Sequence, residues 1–157
     1  MFDTINGLPI HPLVVHAVVV LLPLSILGVL ALVIRPAWRP RYGILVAGCA
    51  LVATALVPVA TQSGEALEKH VGDPGGHAQL GDQLLWFAIP LAITAVALVL
   101  VDRGYADPLV RRPVAGVVLS VLAVVAAVAA GAQVYRVGES GARAAWADQV
   151  VEQAQGK

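Results

Sequence analysis

Charged residues are scarce in this chain. They make up 13% of its 157 residues, against about 25% in ordinary soluble domains. Ten acidic and ten basic residues cancel, so the sequence offers no basic footprint for nucleic acid and no net field to steer a charged partner. The single cysteine, Cys49, excludes an intramolecular disulfide, a CxxC metal site and a c-type haem attachment. Inside its apolar run, Cys49 is expected to be a small core residue.

Apolar residues are in excess instead, at 59% of the chain with a mean hydropathy of +0.82. Four apolar stretches, at about 12–34, 42–62, 77–101 and 113–134, reach the roughly 20 residues that a bilayer-spanning helix needs. Each is predicted to be a helix, because hydrocarbon cannot satisfy exposed backbone groups. The predicted fold is all-α: a four-helix transmembrane bundle with up-down-up-down topology over 1–138, followed by an external polar tail at 139–157.

The connections between the spans predict the orientation of the bundle. Six of the ten basic residues lie in the two loops at one end: Arg35, Arg39, Arg41, Arg103, Arg111 and Arg112. By the positive-inside rule this end faces the cytoplasm, so both termini are expected outside. The resulting expectation is a multi-pass protein of the plasma membrane with its first span retained.

Polar residues recur at two levels near the opposite end. Measured from the charged residue at the loop end of each span, one residue per helix lies 24 or 25 positions away: His11, Glu65, His77 and Arg136. About one turn deeper, at 19 to 21 positions, lie His16, Gln62, Asp82 and Gln133. Ionisable groups at membrane depth usually face a bundle interior or a water-filled cavity. Two polar layers are therefore predicted at the outer end, with His16 and Asp82 meeting across the diagonal of the bundle.

Each of these residues also has a purely structural explanation. His11 precedes Pro12 and can sit at the helix cap in the headgroup region, and His16 can bond to a neighbouring carbonyl. Caps and interfacial salt bridges account for Glu65, His77 and Asp82 about as well as a functional site does. Arg136 can extend towards the headgroups or neutralise Glu65. His70, in the outer connection, is expected to be merely solvated.

The segments "NGLPIHPLVVHAVVVLLPL", "PVATQSGEALE", "HAQLGDQLLWF" and "QVYRVGESGARAAW" resemble the bacterial membrane family known as domain of unknown function 2231, in its actinobacterial form. The resemblance covers nearly the whole chain and implies a four-helix membrane protein without an established activity. Members of the wider family occur fused to or near redox modules, which implies a b-type haem role. Wider members often carry a histidine where this chain has Val137, so a haem ligand from the fourth helix is not expected here.

Three functions compete on these residues. The first is a haem b electron-transfer subunit with axial ligands from the first and third helices, either His16 with His77 or His11 with His77. The second is a Zn, Cu or Fe site at the outer face. Its candidate ligands are His11, His16, Glu65, His77 and Asp82. The third is an accessory or scaffolding subunit of a membrane complex, in which Gln62, Gln133, Arg136 and the other layer residues are structural.

The small residues of "AAVAAGA" favour close helix contacts in any of these three functions. No nucleophile motif is visible, so a redox-associated or accessory subunit is favoured over a stand-alone enzyme. The expected partners are the lipid bilayer, a membrane-complex or redox partner at the outer face, and a second copy of the chain. If the site binds a cofactor, His16 and His77 are predicted to be required and His70 to be dispensable.

Overall fold

The computed structural model describes residues 4–5, 8–71, 76–105 and 113–155. Four long helices dominate it: α1 (Ile10–Ile34), α2 (Arg39–Val71), α3 (Gly76–Asp102) and α4 (Pro113–Gln155). A single 3₁₀ turn, Pro36–Trp38, joins α1 to α2. Before α1, the two-residue strands β1 (Thr4–Ile5) and β2 (Leu8–Pro9) pair antiparallel.

The helices form a ring in which each packs against its neighbours in sequence, and α4 closes the ring against α1. Contacts between α1 and α3 are few, which places these two helices on a diagonal. Along α3 the contacting residues advance from His77 to Leu80 while their partners on α4 go back from Ser140 to Gln133, so these neighbouring helices are antiparallel. The predicted all-α four-helix bundle is confirmed.

Alanines share the centre of the bundle with leucines and valines such as Leu22, Val29 and Leu91, and large apolar side chains also cover its outside. Among the fully buried residues are Ala50, Ala53, Ala88, Ala95, Ala123, Ala127 and Ala130. Exposed residues of the same helices include Leu27, Leu45, Ile93, Val117 and Val128. The exposed apolar side chains suit a lipid solvent, and the buried alanines allow the close backbone approach through which helices associate in membranes.

Gly28 marks a close approach between α1 and α2. A β-carbon built on Gly28 would lie 2.8 Å from Val46 Cγ2, a distance that ordinary side chains do not tolerate. Glycine at this position therefore sets how near the two backbones can come.

Each predicted span lies inside one of four helices long and apolar enough to cross a membrane. The helices are longer than the spans: α2 continues to Val71, and α4 continues to Gln155. Thus α4 runs without a break through the 138–139 boundary at which the external tail was expected to begin. The side chain of His70, together with Arg111 and Arg112, falls outside the described part of the chain.

Candidate functional site

A cavity of about 670 Å³ opens at the end of the bundle opposite the arginine-bearing loops. All four helices contribute to its walls, which are largely aliphatic: Val15, Val18, Val19, Leu22, Val57, Leu84, Val134 and Val137. Polar side chains lining the cavity are His11, Thr61, Glu65, His77 and Asp82. A cavity of this size with apolar walls and a few convergent polar groups is typical of cofactor and small-molecule sites.

His11 enters the cavity from the first turn of α1 and is held by α2. Its Nδ1 lies 3.0 Å from the carbonyl oxygen of Ala60 and 3.2 Å from Oγ of Ser63. The Ser63 hydroxyl donates its own proton to the same Ala60 carbonyl at 3.0 Å. Since a carbonyl oxygen can only accept, the neutral His11 ring must carry its proton on Nδ1.

His77 repeats this arrangement at the start of α3, with α4 as its support. Its Nδ1 lies 3.0 Å from Oγ of Ser140. The Ser140 hydroxyl donates to the Val137 carbonyl at 2.9 Å, which leaves its lone pair to accept from the imidazole. The hydroxyl geometry therefore favours the same Nδ1-protonated form of the His77 ring.

Both rings also rest against a glycine that follows the serine. A β-carbon on Gly64 would lie 3.0 Å from Cε1 of His11, and one on Gly141 would lie 3.0 Å from Cε1 of His77. Either contact is tight enough to push the ring aside. The two halves of the bundle thus each present one histidine seated on a Ser-Gly pair from the next helix.

This seating leaves Nε2 of each histidine as the atom with an available lone pair. Among the described residues neither Nε2 has a hydrogen-bond partner, and both rings border the cavity. Metal-ligating histidines are held in the same way, with one ring nitrogen bonded to a hydroxyl, carbonyl or carboxylate and the other free to coordinate. Chemically, the arrangement offers two oriented neutral imidazole donors.

The carboxylates of the predicted layers lie at the open side of the cavity. Glu65 and Asp82 are exposed while lining it. Arg136 is exposed and hydrogen-bonds to Gln133 at 3.4 Å rather than to Glu65. Gln133 is 1% exposed, and its Nε2 donates to the Leu80 carbonyl at 2.9 Å. Its role is to join α3 to α4.

His16 does not share the cavity with the other predicted residues. Its side chain is exposed, and its Nδ1 bonds to the carbonyl of Pro12 on its own helix. Five residues along an α-helix correspond to a rotation of about 140°, so His16 points away when His11 points inward. The predicted meeting of His16 with Asp82 across the core is therefore not formed. Gln62 is also exposed and lies outside the cavity lining.

The predicted mixed metal site is not assembled either. Within residues 4–5, 8–71, 76–105 and 113–155, no three His, Cys, Asp or Glu side chains are grouped so that they could hold a metal ion. His11, Glu65, His77 and Asp82 border one cavity without forming a common coordination sphere. Two imidazoles alone do not complete the tetrahedral set of four ligands that Zn²⁺ usually takes.

Ser63, Gly64, Ser140 and Gly141 are the site residues that sequence reasoning missed. A signal for them was present: the Ser-Gly dipeptide occurs once near the end of the second span and once after the fourth. Small residues at the level of a predicted histidine layer indicate close packing of the histidine ring. Serine and glycine were not predicted as site residues because they are not ionisable.

Fold and site together define a class: four-helix membrane proteins with a histidine-lined cavity at one end of the bundle. The family model described as "Predicted membrane protein (DUF2231)" matches residues 7–154, and the chain belongs to this family. It is accordingly a predicted integral membrane protein with several spans. No curated protein and no solved structure matches the chain.

Proposed function

We propose that this protein is a b-type haem-binding, redox-associated membrane subunit in which His11 and His77 would hold the haem iron. The observation that carries the proposal is the matched seating of both rings, each with Nδ1 bonded to a serine hydroxyl and each bordering the same cavity. The alternative pair from the sequence, His16 with His77, is disfavoured because His16 lies on the exposed face of α1.

The donor set fits haem better than an isolated metal ion. A porphyrin supplies four ligands itself and needs only two from the protein, which is the number of oriented imidazoles here. An isolated ion needs at least one further ligand near them, and none is grouped with them among the described residues. The aliphatic walls match an apolar macrocycle.

The residues of this chain would then perform three tasks. His11 and His77 would hold the iron through Nε2, and Ser63 and Ser140 would orient the two rings. The valine and leucine walls limit the access of water, which together with the axial ligands sets the reduction potential of a haem. When bound, haem supplies one-electron transfer.

The orientation predicted from the arginine loops places this cavity at the outer face of the plasma membrane. A redox partner, or a second copy of the chain, would approach the cavity from that side. The likeness to the actinobacterial form of the family remains a prediction from the sequence.

An ultraviolet-visible spectrum of detergent-purified protein, with elemental analysis, tests the proposal. The expected result is a Soret band whose α and β bands sharpen on reduction with dithionite, together with one iron per chain. Stoichiometric zinc, copper or iron without those bands would replace haem by a metal site that recruits Glu65 or Asp82. If the protein shows neither signal after expression with added haem precursor, that result would contradict cofactor binding and favour an accessory subunit.

A further inference from the structure

A second cavity, of about 470 Å³, lies at the opposite end of the bundle, where α1, α2 and α4 meet. It is separate from the histidine-lined cavity and shares no lining residue with it. One side is a ridge of α4 that includes Gly116, Val117, Val121 and Val125. Among the residues that the structure describes, Arg39 is the one charged residue that lines the cavity.

Arg39 is anchored there by uncharged hydrogen-bond acceptors. Its Nε donates to the Leu32 carbonyl at 3.0 Å, and one Nη donates to Ser120 Oγ at 3.4 Å. Among the described residues, no carboxylate pairs with Arg39, and its other Nη has no hydrogen-bond partner. A half-buried guanidinium held in place with spare donors is a binding group for an anionic oxygen.

The surroundings of Arg39 identify which anion fits. From Val117 to Val125 the groove follows α4 for about 12 Å, within a span apolar enough to cross a membrane. A soluble anion would gain nothing from this aliphatic surface, whereas a phospholipid would place its phosphate on Arg39 and an acyl chain along the valines. Basic pockets between transmembrane helices near the membrane surface bind anionic lipid headgroups in this way.

We infer that the groove between α1 and α4 is a binding site for an anionic phospholipid, with Arg39 as the headgroup ligand. Gly116 provides an entrance to it, because a β-carbon at this position would meet nothing within 4 Å. A larger side chain there would fill the groove and leave the hydrogen bonds of Arg39 intact. The inference does not depend on whether the other end of the bundle binds haem.

Native mass spectrometry of the detergent-solubilised protein, incubated with equal amounts of phosphatidylglycerol and phosphatidylcholine, tests the site. The wild-type chain should retain phosphatidylglycerol preferentially. Arg39→Gln should reduce that preference by roughly fivefold, the effect of one arginine near a membrane surface. Gly116→Leu should reduce retention of both lipids. Arg103→Gln, an exposed arginine at the same end, should leave retention unchanged.

Three results would overturn the inference. An unchanged lipid preference in Arg39→Gln, together with unchanged lipid retention in Gly116→Leu, would show that the groove holds no lipid. An equal loss in Arg103→Gln would show only diffuse electrostatic attraction. Displacement of phosphatidylglycerol by an excess of inorganic phosphate would identify a free-phosphate site instead. If Arg39→Gln does not fold, Gly116→Leu still tests whether lipid occupies the groove, since it keeps the Arg39 contacts: unchanged retention in that variant would overturn the inference.

Discussion

His77 Nδ1 and Ser140 Oγ lie 3.0 Å apart across the contact between α3 and α4, and the same pairing of histidine with serine recurs between α1 and α2. The two contacts are not equivalent. His11 has the Ala60 carbonyl as a second acceptor at 3.0 Å, whereas the structure gives the Nδ1 of His77 no described partner besides Ser140.

This asymmetry predicts that Ser140→Ala weakens haem retention more than Ser63→Ala. Loss of an outer partner of a ligating histidine typically costs 10- to 100-fold in affinity, so about tenfold or more is expected for Ser140→Ala and less for Ser63→Ala. Titration of the haem-free protein with haem, followed at the Soret band, measures the haem affinity of both variants. Ser140→Thr keeps the hydroxyl and should restore binding; equal losses in the two alanine variants would argue against the assigned hydrogen bonds.

Gly64→Ala and Gly141→Ala are predicted to displace the adjacent imidazole, because the new methyl group would lie 3.0 Å from Cε1. Each should lower haem occupancy while the bundle still folds. Gly48→Ala on α2 and Gly131→Ala on α4 are matched controls, since a β-carbon there meets nothing within 4 Å. The ratio of haem to protein after purification is compared between the two test variants and the two control variants. Equal ratios in test and control variants would show that the rings are not seated on these glycines.

Gln133→Ala is predicted to destabilise the bundle without depending on any cofactor. The substitution removes a buried side chain and leaves the Leu80 carbonyl without its 2.9 Å donor. A loss of about 1 kcal/mol in the free energy of unfolding is expected, since interhelical hydrogen bonds in membranes contribute about 0.6 kcal/mol on average and up to about 2 kcal/mol. Gln62→Ala, on an exposed position, should have little effect. Unfolding of haem-free protein in detergent, followed by circular dichroism, measures the stability of both variants. An equal loss of stability in Gln133→Ala and Gln62→Ala would contradict the prediction.

Gly28→Ala is predicted to separate α1 from α2, because its β-carbon would lie 2.8 Å from Val46 Cγ2. Its melting temperature should fall, and Val46→Ala in the same chain should recover part of the loss by removing the opposing methyl groups. A double-mutant cycle of melting temperatures measures this coupling. Strictly additive effects would mean that the two helices do not meet at this point.

The sequence predicted the four helices well, because the length of an apolar stretch is set by bilayer thickness. Counting from the loop arginines also placed His11 and His77 at one level, and the structure brings both to one cavity. Depth along a helix follows from residue number alone, since the rise per residue is constant.

Rotation about each helix axis could not be predicted in the same way. The apolar residues of α1 surround the whole helix, so no polar face shows which side turns inward. His16 was therefore placed in the core although it lies on the exposed face. The spacing of five residues between His11 and His16 did contain the information that only one of them can face the cavity. The supporting serines and glycines could not be predicted, because they contact the histidines across more than 50 positions of sequence.

The most direct test of the account compares reduced-minus-oxidised spectra of His11→Ala, His77→Ala and His16→Ala with that of the wild type, each purified with added haem precursor. The account predicts that the α-band signal is lost in His11→Ala and in His77→Ala, and fully retained in His16→Ala, with unchanged helical content in all three by circular dichroism. Retention of the wild-type spectrum in either of the first two variants, or its loss in His16→Ala, would contradict the assignment of His11 and His77 as the ligand pair.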